Sequence, residues 1–196
     1  MRNIYVSLIC VVFLVSCGEK QARRPISVKT TNTFLKESAK KNKLLLQAEE
    51  AIIDSIIKKD TLNTYVDSQH GFKFYYTNQN PESDYTASFG DVVTYDYSIS
   101  DLEGNEIYQE KEDGEYTYHV EKEELFFGLR SALKILKEGE SGVFFFPSET
   151  AYGYRGDKNK IESNQPVIAK IQVFKIEKAK EKMEQNQTIV PKNTEH

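Results

Sequence analysis

The 196-residue sequence contains no tryptophan, only two cysteines and only three histidines. His70, His119 and His196 are not spaced like metal ligands, so we expect no zinc or haem site and no cofactor. Lys and Arg number 26 against 30 Asp and Glu, and without a basic surface we expect no nucleic-acid partner. The apolar run from Ile4 to Val15 is shorter than the ~20 residues that a membrane-spanning helix needs.

The first residues have the pattern of an export signal rather than of a folded element. Arg2 precedes the apolar run, which ends in Leu14-Val15-Ser16-Cys17-Gly18. This ending resembles the lipobox of bacterial lipoproteins. The resemblance implies a signal peptide over residues 1–16, cleavage before Cys17, and lipidation of Cys17 as the anchor to a membrane. A simple secretory signal or a short membrane anchor is the alternative.

The lipobox interpretation also accounts for both cysteines. Cys10 leaves with the signal and Cys17 is acylated, so the mature chain has no free thiol. Disulfides, thiolate nucleophiles and cysteine-bound metals are then excluded. We expect a lipid-anchored protein of the cell envelope. Gly18 after the cysteine, with no acidic run following, favours a periplasmic orientation, while the choice between inner and outer membrane stays open.

A polar tether over 17–33 and an amphipathic helix over 34–60 are predicted next. Leu45, Ile52 and Ile56 recur at the spacing of one helix face, and Leu46, Ile53 and Ile57 follow one residue on. Such a stripe is typical of a dimerisation arm, which would make the protein a homodimer. Packing on the protein's own domain, or a role as a stalk, explains the stripe equally well.

Residues 66–178 have the pattern of one α+β domain. Apolar and polar residues alternate from Val92 to Ile99, which is typical of a half-buried strand. One amphipathic helix follows, with Glu123 and Glu124 expected in its first turn and Gly139 expected as its cap. We therefore predict an antiparallel sheet curled over a single short helix. Residues 179–196 are polar and are predicted to be disordered.

The stretch from Gly142 to Gly153 organises this domain. It starts as a strand, is ended by Pro147, and then presents Tyr152 beside a permissive glycine. The pattern fits the rim of an apolar pocket. It also fits a buried edge strand with an ordinary turn.

Five segments carry a family resemblance. They are Gly90-Asp91-Val92-Val93-Thr94-Tyr95-Asp96-Tyr97, Leu102-Glu103-Gly104, Gly128-Leu129, Leu136-Lys137-Glu138-Gly139-Glu140 and Pro147-Ser148-Glu149-Thr150-Ala151-Tyr152-Gly153. Together, over roughly 90–177, they resemble FKBP-type peptidyl-prolyl isomerases. With the lipobox and the helix, the whole chain is similar to the gliding-motility-associated isomerase lipoproteins of gliding bacteria. The resemblance implies proline-containing, unfolded or folding polypeptides as substrates.

The resemblance also implies a set of site residues. Tyr152 would act as the catalytic hydrogen-bond donor. The substrate-binding residues would be Tyr97, Ile107, Tyr108, Tyr116, Leu125, Phe126, Leu129 and Ile161. Each of these side chains could instead belong to the plain core.

Four positions, at three places in the chain, depart from the family pattern. Ile107-Tyr108 replaces a Phe-Asp pair, Leu129 replaces a tryptophan at the pocket floor, and Ala169 replaces a phenylalanine. The rim therefore loses a carboxylate acceptor and the pocket becomes wider or is filled differently. Two functions remain: a working isomerase, or a chaperone-like assembly module with a degenerate, weakly active or inactive pocket.

Overall fold

The computed structural model describes residues 29–109 and 115–179. The packing below belongs to the compact unit that begins at Lys41. The elements, in chain order, are α1 (Lys29–Lys59), β1 (Val66–Asp67), β2 (Lys73–Asn78), β3 (Val92–Ser100), β4 (Glu106–Tyr108), β5 (Tyr116–His119), α2 (Phe127–Ile135), β6 (Ser141–Phe146), a 3-10 turn (Gly153–Arg155) and β7 (Val167–Glu177). The predicted α+β class is confirmed, with seven antiparallel strands in one sheet.

The sheet has the order β1-β2-β6-β7-β3-β4. β7 follows β3 along its whole length, from Val92↔Glu177 to Ser100↔Ile168, with one register shift at Thr94/Tyr95. β5 also pairs with β3, from Val92↔His119 to Tyr95↔Tyr116. Because β7 covers one edge of β3, both β4 and β5 must pair with the opposite edge.

β6 has buried side chains on both faces of the sheet, which explains why it is almost continuously apolar in sequence. Phe144 and Phe146 join the main core with α2 residues such as Leu133, which is fully buried. Val143 and Phe145 belong to a second cluster on the opposite face. The rings of Phe144 and Phe146 stack at 5.9 Å between centroids, so the main core is built around aromatic contacts.

Helix α1 covers that second face. Ile53 is 2% exposed and packs with Val143 and Phe145, whereas Ile52 is 51% exposed. The face that docks therefore includes Ile53, and Ile52 of the predicted stripe points to solvent. Of the alternatives for this helix, the structure shows packing on its own domain over residues from Lys41 onward.

Three predicted boundaries differ from the structure. α1 begins at Lys29, so the last residues of the predicted tether are helical. α2 begins only at Phe127, so Glu123 precedes the helix; its carboxylate instead accepts the backbone N–H of His119. Leu136 ends the helix, and Gly139 lies beyond it in a turn, with a φ of 80°. Cys17, the signal and nearly all of the predicted tail, from residue 180, lie outside the described residues.

Residues 29–109 and 115–179 lack two features. None of their helices combines the length and the apolar character needed to cross a bilayer. They also contain no group of three or more His, Cys, Asp or Glu side chains arranged to hold a metal ion.

Candidate active site

A gap in the strand pairing of β3 opens the site. β5 ends its pairing at Tyr95, and β4 begins its own at Ile99. Tyr97 lies between the two, and its ring contacts that of Tyr116 on β5, with 5.1 Å between centroids. The gap thus leaves a half-buried tyrosine at the edge of the main core instead of beneath another strand.

The turn after β6 delivers the second tyrosine. Thr150 and Ala151 donate their N–H groups to the carbonyl of Pro147 at 3.0 and 3.1 Å, so the chain turns sharply there. The ring of Tyr152 then lies 4.8 Å from that of Phe126, which in turn meets Phe146 edge-on at 5.5 Å. Phe126 holds an extended conformation immediately before α2, which allows it to contact this turn.

The hydroxyls of Tyr97 and Tyr152 make no hydrogen bond to any residue within 29–109 or 115–179. Burial raises the pKa of Tyr152 well above that of an exposed tyrosine, and the nearby Tyr97 and Asp157 raise it further. Burial raises the pKa of Tyr97 as well. Both phenols therefore keep their protons at neutral pH, and each offers an unused O–H donor at the edge of an aromatic cluster.

Asp157 supplies a carboxylate at the rim. Its Oδ2 accepts a hydrogen bond from the hydroxyl of Tyr108, and its Oδ1 accepts hydrogen bonds from the backbone N–H groups of Asn159 and Ile161, both at 2.8 Å. Burial alone would raise the pKa of Asp157, but these hydrogen bonds outweigh it and lower the pKa below the usual value. Asn159 Nδ2 also donates to the Tyr108 hydroxyl at 3.1 Å. The carboxylate missing at position 108 is thus present nearby, on a different loop.

The remaining predicted residues divide between wall and floor. Ile107 and Leu125 are partly buried and pack against the main core beside the tyrosines. Leu129 and Ile161 are 1% and 3% exposed, so they belong to the main core and do not line an open surface. Ala169, also fully buried, pairs with Ile99 and Phe144 in the sheet, so the large-to-small change lies inside the core.

The structure thus brings the predicted tyrosines together: the rings of Tyr97 and Tyr116 are in contact, and Tyr97 lies close enough to Tyr152 to raise its pKa. Sequence reasoning missed Asp157. Asp157 lies in the polar loop after Gly153, and nothing in the sequence distinguishes its carboxylate from other charged residues of a loop.

Residues 83–174 match the family model of FKBP-type peptidyl-prolyl cis-trans isomerases. Residues 83–174 form an FKBP-type domain. Its fold is also that of a crystal structure of a peptidyl-prolyl cis-trans isomerase from Pseudomonas syringae pv. tomato str. DC3000. The TM-score is 0.57 at 16% identity, over 69% of this chain and 96% of that chain. A comparison with curated proteins gives no match.

The isomerisation of an X–Pro bond requires no nucleophile and no acid–base pair. Rotation about an X–Pro bond has a barrier of ~18–20 kcal/mol because twisting the amide breaks its resonance. Apolar walls lower it because they favour the less polar twisted amide. A neutral donor lowers it further where it meets the lone pair that develops on the prolyl nitrogen. The family match and the fold together support peptidyl-prolyl cis-trans isomerase activity.

Proposed function

We propose that the protein isomerises X–Pro bonds of unfolded or folding polypeptides in the cell envelope, with Tyr152 as the hydrogen-bond donor. The observation that carries the proposal is the neutral hydroxyl of Tyr152, which bonds to none of the described residues and is held beside Phe126. The proline ring would pack on the aromatic wall formed by Tyr97, Tyr116 and Phe126. The Tyr152 hydroxyl would donate to the prolyl nitrogen, which gains a free lone pair as the amide twists and loses its resonance.

The decisive experiment is the slow refolding of a protein that is limited by proline isomerisation. Uncatalysed exchange takes tens to hundreds of seconds, so even a ~10-fold acceleration, about 1.4 kcal/mol off the barrier, is measurable. We expect acceleration by the wild type and a rate reduced ~2- to 10-fold in Tyr152→Phe, the effect of one neutral hydrogen bond. Tyr154→Phe is the matched control, because Tyr154 is 68% exposed and lies two residues away.

A binding module without turnover is the second candidate, and Leu129 favours it. A leucine at the floor leaves less aromatic surface than the tryptophan that the family resemblance implies. If the wild type leaves refolding rates unchanged but still binds the unfolded chain, the isomerase proposal fails and the binding module replaces it.

The place of action is a separate part of the proposal. We infer that Cys17 carries lipid and anchors the mature protein in the envelope, facing the periplasm. A role in gliding motility would follow from the whole-chain resemblance. The lipobox motif supports the lipid anchor. Cys17→Ser should leave an unlipidated protein with its signal still attached. Mass spectrometry of the variant measures both. Lipid-modified protein of mature size in that variant would contradict the inference.

A further inference from the structure

One carboxylate lies inside the docked face of α1. Glu49 is 4% exposed, four residues before the buried Ile53. Its Oε2 accepts the backbone N–H of Ser148 and its Oε1 accepts the hydroxyl of Ser148, both at 2.7 Å and across 99 residues of chain. Ser148 is itself only 5% exposed. A charge buried this deeply is costly unless donors surround it, and here a single residue supplies two.

Ser148 connects Glu49 to the turn that carries Tyr152. Its carbonyl accepts the N–H of Gly153 at 2.8 Å, directly after Tyr152. From the other side, Gly128 on α2 donates its N–H to the carbonyl of Thr150 at 2.7 Å. The turn that carries Tyr152 is therefore held at one end by Glu49 and in its middle by the first turn of α2.

Leucine at position 49 would continue the apolar face between Leu46 and Ile53 and would avoid the cost of a buried charge. It would also leave the buried N–H and hydroxyl of Ser148 without their acceptor. A carboxylate instead fixes the direction of two donors, because charge-assisted hydrogen bonds are short and strong. The arrangement holds the backbone of one turn at one orientation.

We propose that Glu49 is a positioning residue for the Pro147–Gly153 turn, so that α1, which lies outside the matched region 83–174, sets the geometry of the tyrosine that faces the substrate. The inference rests on the proposed function for its consequence in catalysis, but the positioning itself is a property of the fold. Glu49→Gln keeps the side-chain shape and removes the charge. Glu50→Gln is the matched control, since Glu50 is the next residue and is exposed.

The experiment measures amide hydrogen exchange by NMR together with refolding catalysis, on the full-length chain. In Glu49→Gln we expect the Ser148 and Gly153 amides to exchange about tenfold faster, the size of one charge-assisted hydrogen bond, and kcat to fall with little change in KM. Exchange in β3 and β7 should stay at the wild-type level. Glu50→Gln should match the wild type in all of these measurements.

Three outcomes decide the matter. If Glu49→Gln and Glu50→Gln are alike in exchange and in rate, or if Glu49→Gln only lowers the melting temperature, the inference is overturned. If no variant catalyses refolding but Glu49→Gln alone loosens residues 147–153, the positioning stands and the proposed function fails. Should Glu49→Gln not fold, Ser148→Ala replaces it: this change removes the bond to Glu49 Oε1 and keeps the backbone bond to Oε2. Unchanged exchange of both the residue 148 and the Gly153 amides would then overturn the inference.

Discussion

The docking of α1 can be tested by two neighbouring substitutions. Ile53→Ala removes a side chain that is 2% exposed and packs on Val143 and Phe145, whereas Ile52→Ala removes one that is 51% exposed. The two changes are chemically identical, and they have the same effect on helix propensity. Any difference between them therefore measures the contact of α1 with the outer face of the sheet.

The expected size follows from burial. Truncating a buried isoleucine to alanine costs about 2–5 kcal/mol. Ile53 belongs to a small cluster whose other helix members, Ile56 and Ile57, are only partly buried, so its neighbours can collapse and the low end applies. Alanine also favours the helix by a few tenths of a kcal/mol. We expect a loss of about 2 kcal/mol for Ile53→Ala, or a melting temperature lower by ~4–8 °C for a chain of this size, and less than ~0.5 kcal/mol for Ile52→Ala.

The assay is urea denaturation followed by circular dichroism, with sedimentation of the same samples. The midpoint should fall for Ile53→Ala without a change in slope. Equal midpoints for the two variants would refute the docking and would leave α1 as a stalk or an arm. Self-association is a separate question, because the exposed side of α1 would carry it. A lower mass for Ile52→Ala alone would establish the dimerisation arm.

Three further predictions follow from the site. Tyr108→Phe should lower the isomerisation rate by a few-fold, since Asp157 loses the hydrogen bond from the Tyr108 hydroxyl. Tyr108→Asp should lower the rate further, because it places two carboxylates together. A faster rate in Tyr108→Asp would contradict the rim described above. Alkaline unfolding should reflect the buried tyrosines, whose pKa values are raised from 10. The unfolded chain releases protons that the folded chain keeps, so the free energy of unfolding should hold below pH 10 and fall above it, with a shallower fall in Tyr152→Phe. Gly128→Ala should destabilise the domain by more than 2 kcal/mol in the same denaturation assay, because a methyl group there would lie 2.5 Å from the Phe146 ring; an unchanged midpoint would show that the ring can move aside.

Most of the strands could be predicted from the sequence, because burial on one or both faces of a sheet determines which positions are apolar. Val92 to Ile99 alternates, and the apolar run of β6 reflects its two covered faces. The helices were harder to place. The pattern predicts Glu123 in the first turn of α2, but Glu123 precedes the helix. Leu125 and Phe126 are apolar whether they belong to a helix or to the segment before it, so their pattern does not mark where the helix begins.

The site divides along similar lines. Family spacing identified Tyr97 and Tyr152, which the fold brings together. The contacts of Asp157 and Glu49 could not be predicted from the sequence. Asp157 binds Tyr108, 49 residues away, and Glu49 binds Ser148, 99 residues away. Periodicity records which residues are apolar, and a buried carboxylate in an apolar face looks like an ordinary solvated position.

The contact between α1 and β6 also sets an order of events during synthesis. Ile53 leaves the ribosome about 90 residues before Val143 and Phe145, against which it packs. At typical rates of ~5–20 residues per second, its apolar face stays uncovered for roughly 5–20 s. The sheet cannot shorten this delay, because β6 and β7 at its centre are among the last elements to be made. A chain with this topology therefore exposes an apolar helix before it has a fold of its own, and the surroundings of Tyr97 are complete only once β7 has paired with β3.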